Sequence, residues 1–148
     1  MKGMKVVHEQ PPEWIMKGCL DKFRVNDVEH TVWTYGDTIF APGDDRTLPD
    51  YILAHESQHE AQQAAYEGGK DAWWREFLAN PRFRLEQEAE AYGAQYRFYC
   101  ERVKDRNRRA LFLMQIAGQL SGPLYQIAVT PSQARRMILV LSGQMELA

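Results

Sequence analysis

The order of apolar and polar positions predicts a mostly helical chain interrupted by one short β segment. Residues 1–10 show no periodicity and read as an irregular arm. Pro11-Pro12 then opens an amphipathic helix to about Phe23, with Trp14, Ile15, Leu20 and Phe23 inward, and Val25-Asn26-Asp27 breaks it. Residues 30–35 and 38–41 are β-branched and aromatic and flank Gly36-Asp37, the pattern of a hairpin. A loop at 42–45 leads into a helix over 48–66. Pro49 fits its first turn, Thr47 and Asp50 form its start signal, and Gly68-Gly69 stops it. Asp71 caps a tryptophan-rich helix over 72–79, ended by Asn80-Pro81.

The longest helix runs from Arg82 to about Asp105. Leu85, Ala89, Tyr92, Tyr96, Tyr99 and Val103 recur every three or four residues and make one apolar stripe. After a break near Asn107 comes an apolar helix over 110–120, then a turn at Ser121-Gly122-Pro123. Thr130-Pro131-Ser132-Gln133 is a capping box with proline at the first helical position, opening a last helix to about Ser142 that Gly143 ends. The fold class is therefore α+β, mostly α: a small antiparallel sheet or hairpin packed on the 48–66 helix, then the long helix and C-terminal helices. No repeat, low-complexity tract or linker divides the chain, so 1–148 reads as a single domain.

Composition changes this picture little. A net charge of −2 over 148 residues gives no general drive toward nucleic acid or anionic membrane, and neither partner is expected. No apolar run approaches ~18 residues, so no spanning helix is expected. The first ten residues carry basic groups without an apolar run behind them, which argues against a secretory signal and for a cytoplasmic protein. Cys19 and Cys100 belong to no C-x-x-C pair and read as reduced, buried thiols. The basic run at 104–109 reads as a solvated helix junction, one of Trp73-Trp74 as core, and 111–116 as core or a subunit contact.

The chemistry concentrates at His55-Glu56-Ser57-Gln58-His59, an H-E-x-x-H pattern inside the 48–66 helix. His55 and His59 sit one turn apart on one face, where both imidazoles can share a metal, and Glu56 projects beside them as a general base. A catalytic zinc keeps three protein ligands and an open position, so a third ligand is required. His8 and His30 lie upstream. Residues 85–92 offer Glu86, Glu88 and Glu90. Stepping 100° per residue from the centre of the apolar stripe, Glu88 falls about 60° away, while Glu86 and Glu90 fall beyond about 90°, toward solvent. Glu88 alone points inward and needs a cation, a donor or a proton. The plainer reading pairs it with Arg84 or Arg97. Gln62 and Tyr66 continue the histidine face and border the site.

His55-Glu56-x-x-His59 followed by Glu88-x-Glu90-Ala91-Tyr92 resembles the gluzincin zinc metallopeptidases, and is especially similar to small phage and bacterial members with a downstream E-x-E-A-Y. The flanking residues 48–54 and Gly36-Asp37-Thr38-Ile39 resemble that group too, and the likeness covers about 32–96. It implies a sheet over the active-site helix, a Zn2+ held by His55, His59 and Glu88, and hydrolysis of a peptide or protein substrate. Glu56 would be the general base on a zinc-bound water, and a phage-encoded member would work in the host cytoplasm. Tyr92 stands where such proteins often carry an acid, and a phenol there can orient a ligand or donate to an oxyanion, as can Tyr96 or His30. A register with Glu86 as ligand restores the acid at Glu90 but points it outward. A strand edge near 38–41 would align a peptide by β-augmentation. The reading from another class is a zinc-stabilised binding protein that has lost turnover.

Overall fold

The computed structural model describes residues 3–23, 28–43 and 47–144. Among them are six α-helices and one three-stranded sheet, the α+β, mostly helical architecture that the periodicities predict. The expected break at Val25-Asn26-Asp27 and loop residues Asp44 and Asp45 lie outside the described residues.

Strands β2 (Trp33–Tyr35) and β3 (Thr38–Phe40) form the expected antiparallel hairpin, with Tyr35 opposite Thr38. The turn uses Gly36 at φ +61°, a backbone region that glycine enters without a Cβ penalty. The arm at 1–10 is not wholly irregular. Lys5–Val7 forms strand β1, parallel to β3, and the order β1-β3-β2 places β3 in the centre. Strand β1 is exposed or half-buried throughout, so no buried face imprints an alternation on its three residues. The edge expected near 38–41 is therefore not free to add a peptide strand.

Helix α1 (Glu13–Lys22) buries Ile15 and Cys19, with Phe23 just beyond its end. Trp14 and Leu20, expected inward, are 41% and 40% exposed. The four-residue spacing of Ile15 and Cys19 sets the inward face, and Trp14 instead lies under the Arg75 guanidinium, 5.7 Å from its ring centre. Helix α2 (Asp50–Ala65) starts with Pro49 as its N-cap and no side-chain cap, so Thr47 does not serve as one. Helix α3 (Gly69–Ala79) starts earlier than expected. Asp71 lies within its first turn, where its carboxylate accepts a 2.6 Å hydrogen bond from the Tyr35 hydroxyl and ties α3 to β2.

Helix α4 (Pro81–Arg102) begins at Asn80, whose carboxamide oxygen accepts from the Arg82 and Phe83 amides. Asp105 caps α5 (Arg106–Ser121), which starts before the expected Ala110. Thr130 and Gln133 form the expected capping box of α6 (Pro131–Leu141). In the basic run, Lys104 and Arg109 donate to the Cys100 carbonyl, and Arg109 also to that of Val103, closing the end of α4.

Two large apolar cores and one small cluster of Ile39, Ala41 and Leu48 result. One core joins α4, α5 and α6 around Tyr96, Leu113, Ile116 and Leu120, and the other joins α1, β2 and α3 around Ile15, Trp33, Trp73 and Phe77. Cys19 and Cys100 are free thiols buried in different cores. Both tryptophans of the pair are buried, at 1% and 5% exposure, where one was expected. The run at 111–116 divides: Phe112, Leu113 and Ile116 are core, while Leu111 and Met114 face outward. No helix among the described residues is long and apolar enough to cross a membrane. Helix α2 packs chiefly on α4, and the candidate site lies between them.

Candidate metal centre

The buried residues of α2 are all polar: His55, Glu56, His59, Gln62 and Gln63. Polar groups survive burial only when partnered. Their partners come mainly from α4 and β2. Glu88, 4% exposed, projects from α4 between the two imidazoles, with Oε1 3.1 Å from His55 Nε2 and Oε2 3.2 Å from His59 Nε2. One ligand atom from each of the three residues lies within 4.8 Å of the others.

The far side of each ring decides what this cluster holds. His55 Nδ1 lies 2.9 Å from Gln95 Oε1, and His59 Nδ1 lies 2.8 Å from Gln62 Oε1. Gln62 Nε2 donates to the Gln87 carbonyl at 2.9 Å and to Glu90 Oε1 at 3.2 Å, so its oxygen faces the ring. An amide oxygen only accepts, so each Nδ1 carries the proton and donates. A neutral imidazole then presents its Nε2 lone pair to the Glu88 carboxylate. Two lone pairs facing two carboxylate oxygens repel unless positive charge lies between them. A proton or a shared cation between the rings and the carboxylate supplies that charge.

Titration follows from the same geometry. Burial on its own would lower the His59 pKa. The charge of Glu88, its hydrogen bond and the charge of Glu56 outweigh burial and push it up to about 9. Burial would raise the Glu88 carboxyl, but the His59 charge and the hydrogen bonds from both imidazoles hold it far below the usual carboxylate range. Two imidazoles, each with its outer nitrogen fixed, and a buried carboxylate match the donor set of a divalent metal site.

Glu56 is tied at one end only. Its Oε1 accepts a 2.8 Å hydrogen bond from Thr34 Oγ1 on β2, while Oε2 turns toward the cluster, 3.7 Å from His55 Nε2. Tyr92 packs its ring edge against His55, with centroids 4.5 Å apart, and its hydroxyl lies 2.8 Å from that of Tyr125. Tyr125 belongs to a 3-10 turn, Pro123–Tyr125, after α5. Burial first, and then the Glu88 charge, raise both phenols well above their ordinary value, so both stay protonated and able to donate.

His55, Glu56, His59, Glu88 and Tyr92 thus meet at one place. The other candidates do not. Glu86 is exposed and pairs with Arg82 at 3.5 Å. Glu90 holds Gln58 and Gln62 rather than a ring nitrogen. Arg84 is buried but donates to the carbonyls of Phe77, Tyr125 and Gln126, and Arg97 pairs with Glu101, so neither neutralises Glu88. His8 faces the Ala41 carbonyl at 3.0 Å. Tyr96 lies beside Cys100, Tyr66 packs edge-on against Phe83, and exposed His30 sits on the rim of the cavity over the site.

Sequence reasoning missed Gln95, Thr34 and Tyr125. Gln95 was within reach, since it lies seven residues after Glu88 and returns to the same face of α4. Thr34 and Tyr125 come from separate elements and leave no local signal. Strand β2 is one edge of the sheet, and there the Thr34 carbonyl already accepts from Gln63 Nε2 at 2.8 Å and Trp74 Nε1 at 2.9 Å. No protein-family model, no curated protein and no solved structure matches the chain.

Proposed function

We propose that the protein is a zinc-dependent metallopeptidase that cuts a peptide bond in a peptide or protein substrate. The observation that carries this reading is the convergence of two Nε2 atoms on one buried carboxylate while both Nδ1 atoms are committed to glutamine oxygens. His55, His59 and Glu88 would hold the ion, and three protein ligands leave a position open. A bound zinc supplies Lewis acidity to the scissile carbonyl and acidity to a water.

The chain's own residues do the rest. Glu56 accepts a proton on Oε2, the oxygen that turns toward the cluster, and returns it to the leaving amine, while Thr34 holds the other oxygen still. Gln95 and Gln62 keep both rings in the tautomer that leaves Nε2 free to bind. Tyr92 steadies the His55 ring. The Tyr92–Tyr125 hydroxyl pair stays protonated and offers a hydrogen-bond donor to developing oxyanion charge. Glu56 is not one of the three clustered ligands and is held by Thr34 beside them. An acid placed as a base next to a three-ligand site, rather than as the fourth ligand that closes a structural zinc, favours turnover over a zinc-stabilised binding protein.

Metal analysis of the purified protein tests the ligand set. About one zinc per chain is expected in the wild type and in Glu86→Ala, and loss of zinc in Glu88→Ala. Peptide-library cleavage that disappears in Glu56→Gln, with zinc retained, establishes the base. Zinc bound without cleavage of any peptide would turn the reading to the binding protein, and zinc retained by Glu88→Ala would sink the ligand assignment.

A further inference from the structure

We propose that the cavity beside the His55–His59–Glu88 cluster is a specificity pocket for one bulky apolar side chain of the substrate, aromatic above all. The proposal rests on the peptidase reading for the bond to be cut, but the pocket's preference follows from its walls. The cavity measures about 230 Å³ and is lined on one side by His55, Glu56 and Glu88. Phe23, Trp33, Trp74 and Phe77 form an aromatic part of its wall, and all four are buried. Leu124 lines it as well and is 38% exposed, so the cavity reaches the surface there.

Size and polarity both select. An apolar cavity of about 150 Å³ accepts benzene, so this one accommodates a phenyl or indole group. The indole N–H groups of the aromatic wall are already matched. The Trp33 indole donates to Cys19 Sγ at 3.4 Å and the Trp74 indole to the Thr34 carbonyl at 2.9 Å. Among the described residues no buried side-chain nitrogen or oxygen lacks a partner. A polar side chain packed against these aromatic rings would lose its hydration and gain no hydrogen bond from them. An acidic one would in addition face Glu56 and Glu88. Phe23 and Leu124 lie outside the 32–96 stretch that carries the peptidase resemblance, so the resemblance does not supply these two walls.

Two measurements on the full-length protein test this. With zinc bound, the hydroxamates of phenylalanine, alanine and aspartate are titrated by calorimetry, with acetohydroxamate as the anchor that has no side chain. The phenylalanine compound should bind at least tenfold more tightly than the alanine one, and the aspartate compound more weakly than either. Acetohydroxamate binding with no preference among side chains would overturn the pocket and leave the metal reading intact. In metal-free protein, N-acetylphenylalaninamide should shift the Trp33 and Trp74 indole N–H resonances and N-acetylalaninamide should not. That arm holds even if no hydroxamate binds, an outcome that would count against the metal centre. Absent or equal shifts would overturn the pocket.

Discussion

Without a metal, the proton on His59 helps hold the cluster together, and this makes stability depend on pH in a calculable way. The His59 pKa moves from an ordinary 6.5 to about 9. At about 1.4 kcal/mol per tenfold change, that rise corresponds to roughly 3 kcal/mol of folding free energy. A raised folded-state pKa contributes fully below 6.5, where the unfolded chain also holds the proton, and the contribution disappears as pH climbs through 9. For a chain of this size each kcal/mol moves the melting temperature by about 2–4 °C, so the midpoint should fall roughly 6–12 °C between pH 6.5 and 9.5. Glu88 works in the opposite direction: its depressed pKa contributes above an ordinary 4.5 and is lost as the solution is acidified. Thermal melts of chelator-treated protein, followed by circular dichroism, measure the alkaline fall. Zinc replaces the protons on Nε2, so saturating zinc should abolish the fall, and stabilisation by zinc should grow with pH. Equal metal-free midpoints at pH 6.5 and 9.5, or the same fall in His59→Gln, would refute the reasoning.

Further outcomes follow from other contacts. Gln95→Leu and Gln62→Leu remove the acceptor behind each imidazole, and zinc affinity measured against a chromophoric chelator should drop roughly 10–100-fold. Gly93→Ala places a Cβ 3.0 Å from the Leu141 Cβ and 3.2 Å from the Leu141 carbonyl carbon, where α4 meets the end of α6. Denaturant unfolding should show a loss of about 1–3 kcal/mol, because backbone cannot move aside as a side chain can. Gly118→Ala, with nothing within 4 Å, should instead stabilise α5 by up to about 1 kcal/mol.

Much of the architecture follows from local chemistry. The helices, the β2–β3 turn and the Thr130 capping box follow from spacing, glycine and cap residues, which act over a few residues of backbone and so are present in the sequence itself. Helical phase alone also separates Glu88 from Glu86 and Glu90, because burial of one face of α4 is a periodic property. The partners across space have no such period. Thr34 on Glu56, Tyr125 on Tyr92 and the third strand at Lys5–Val7 each depend on elements that meet only when the two cores close. The H-E-x-x-H pattern determines that two imidazoles share a face. Only the packing of α2 on α4 orients the Gln62 amide, sets Gln95 behind His55 and puts Glu88 between the rings, and that packing turns two polar side chains into a site that requires positive charge.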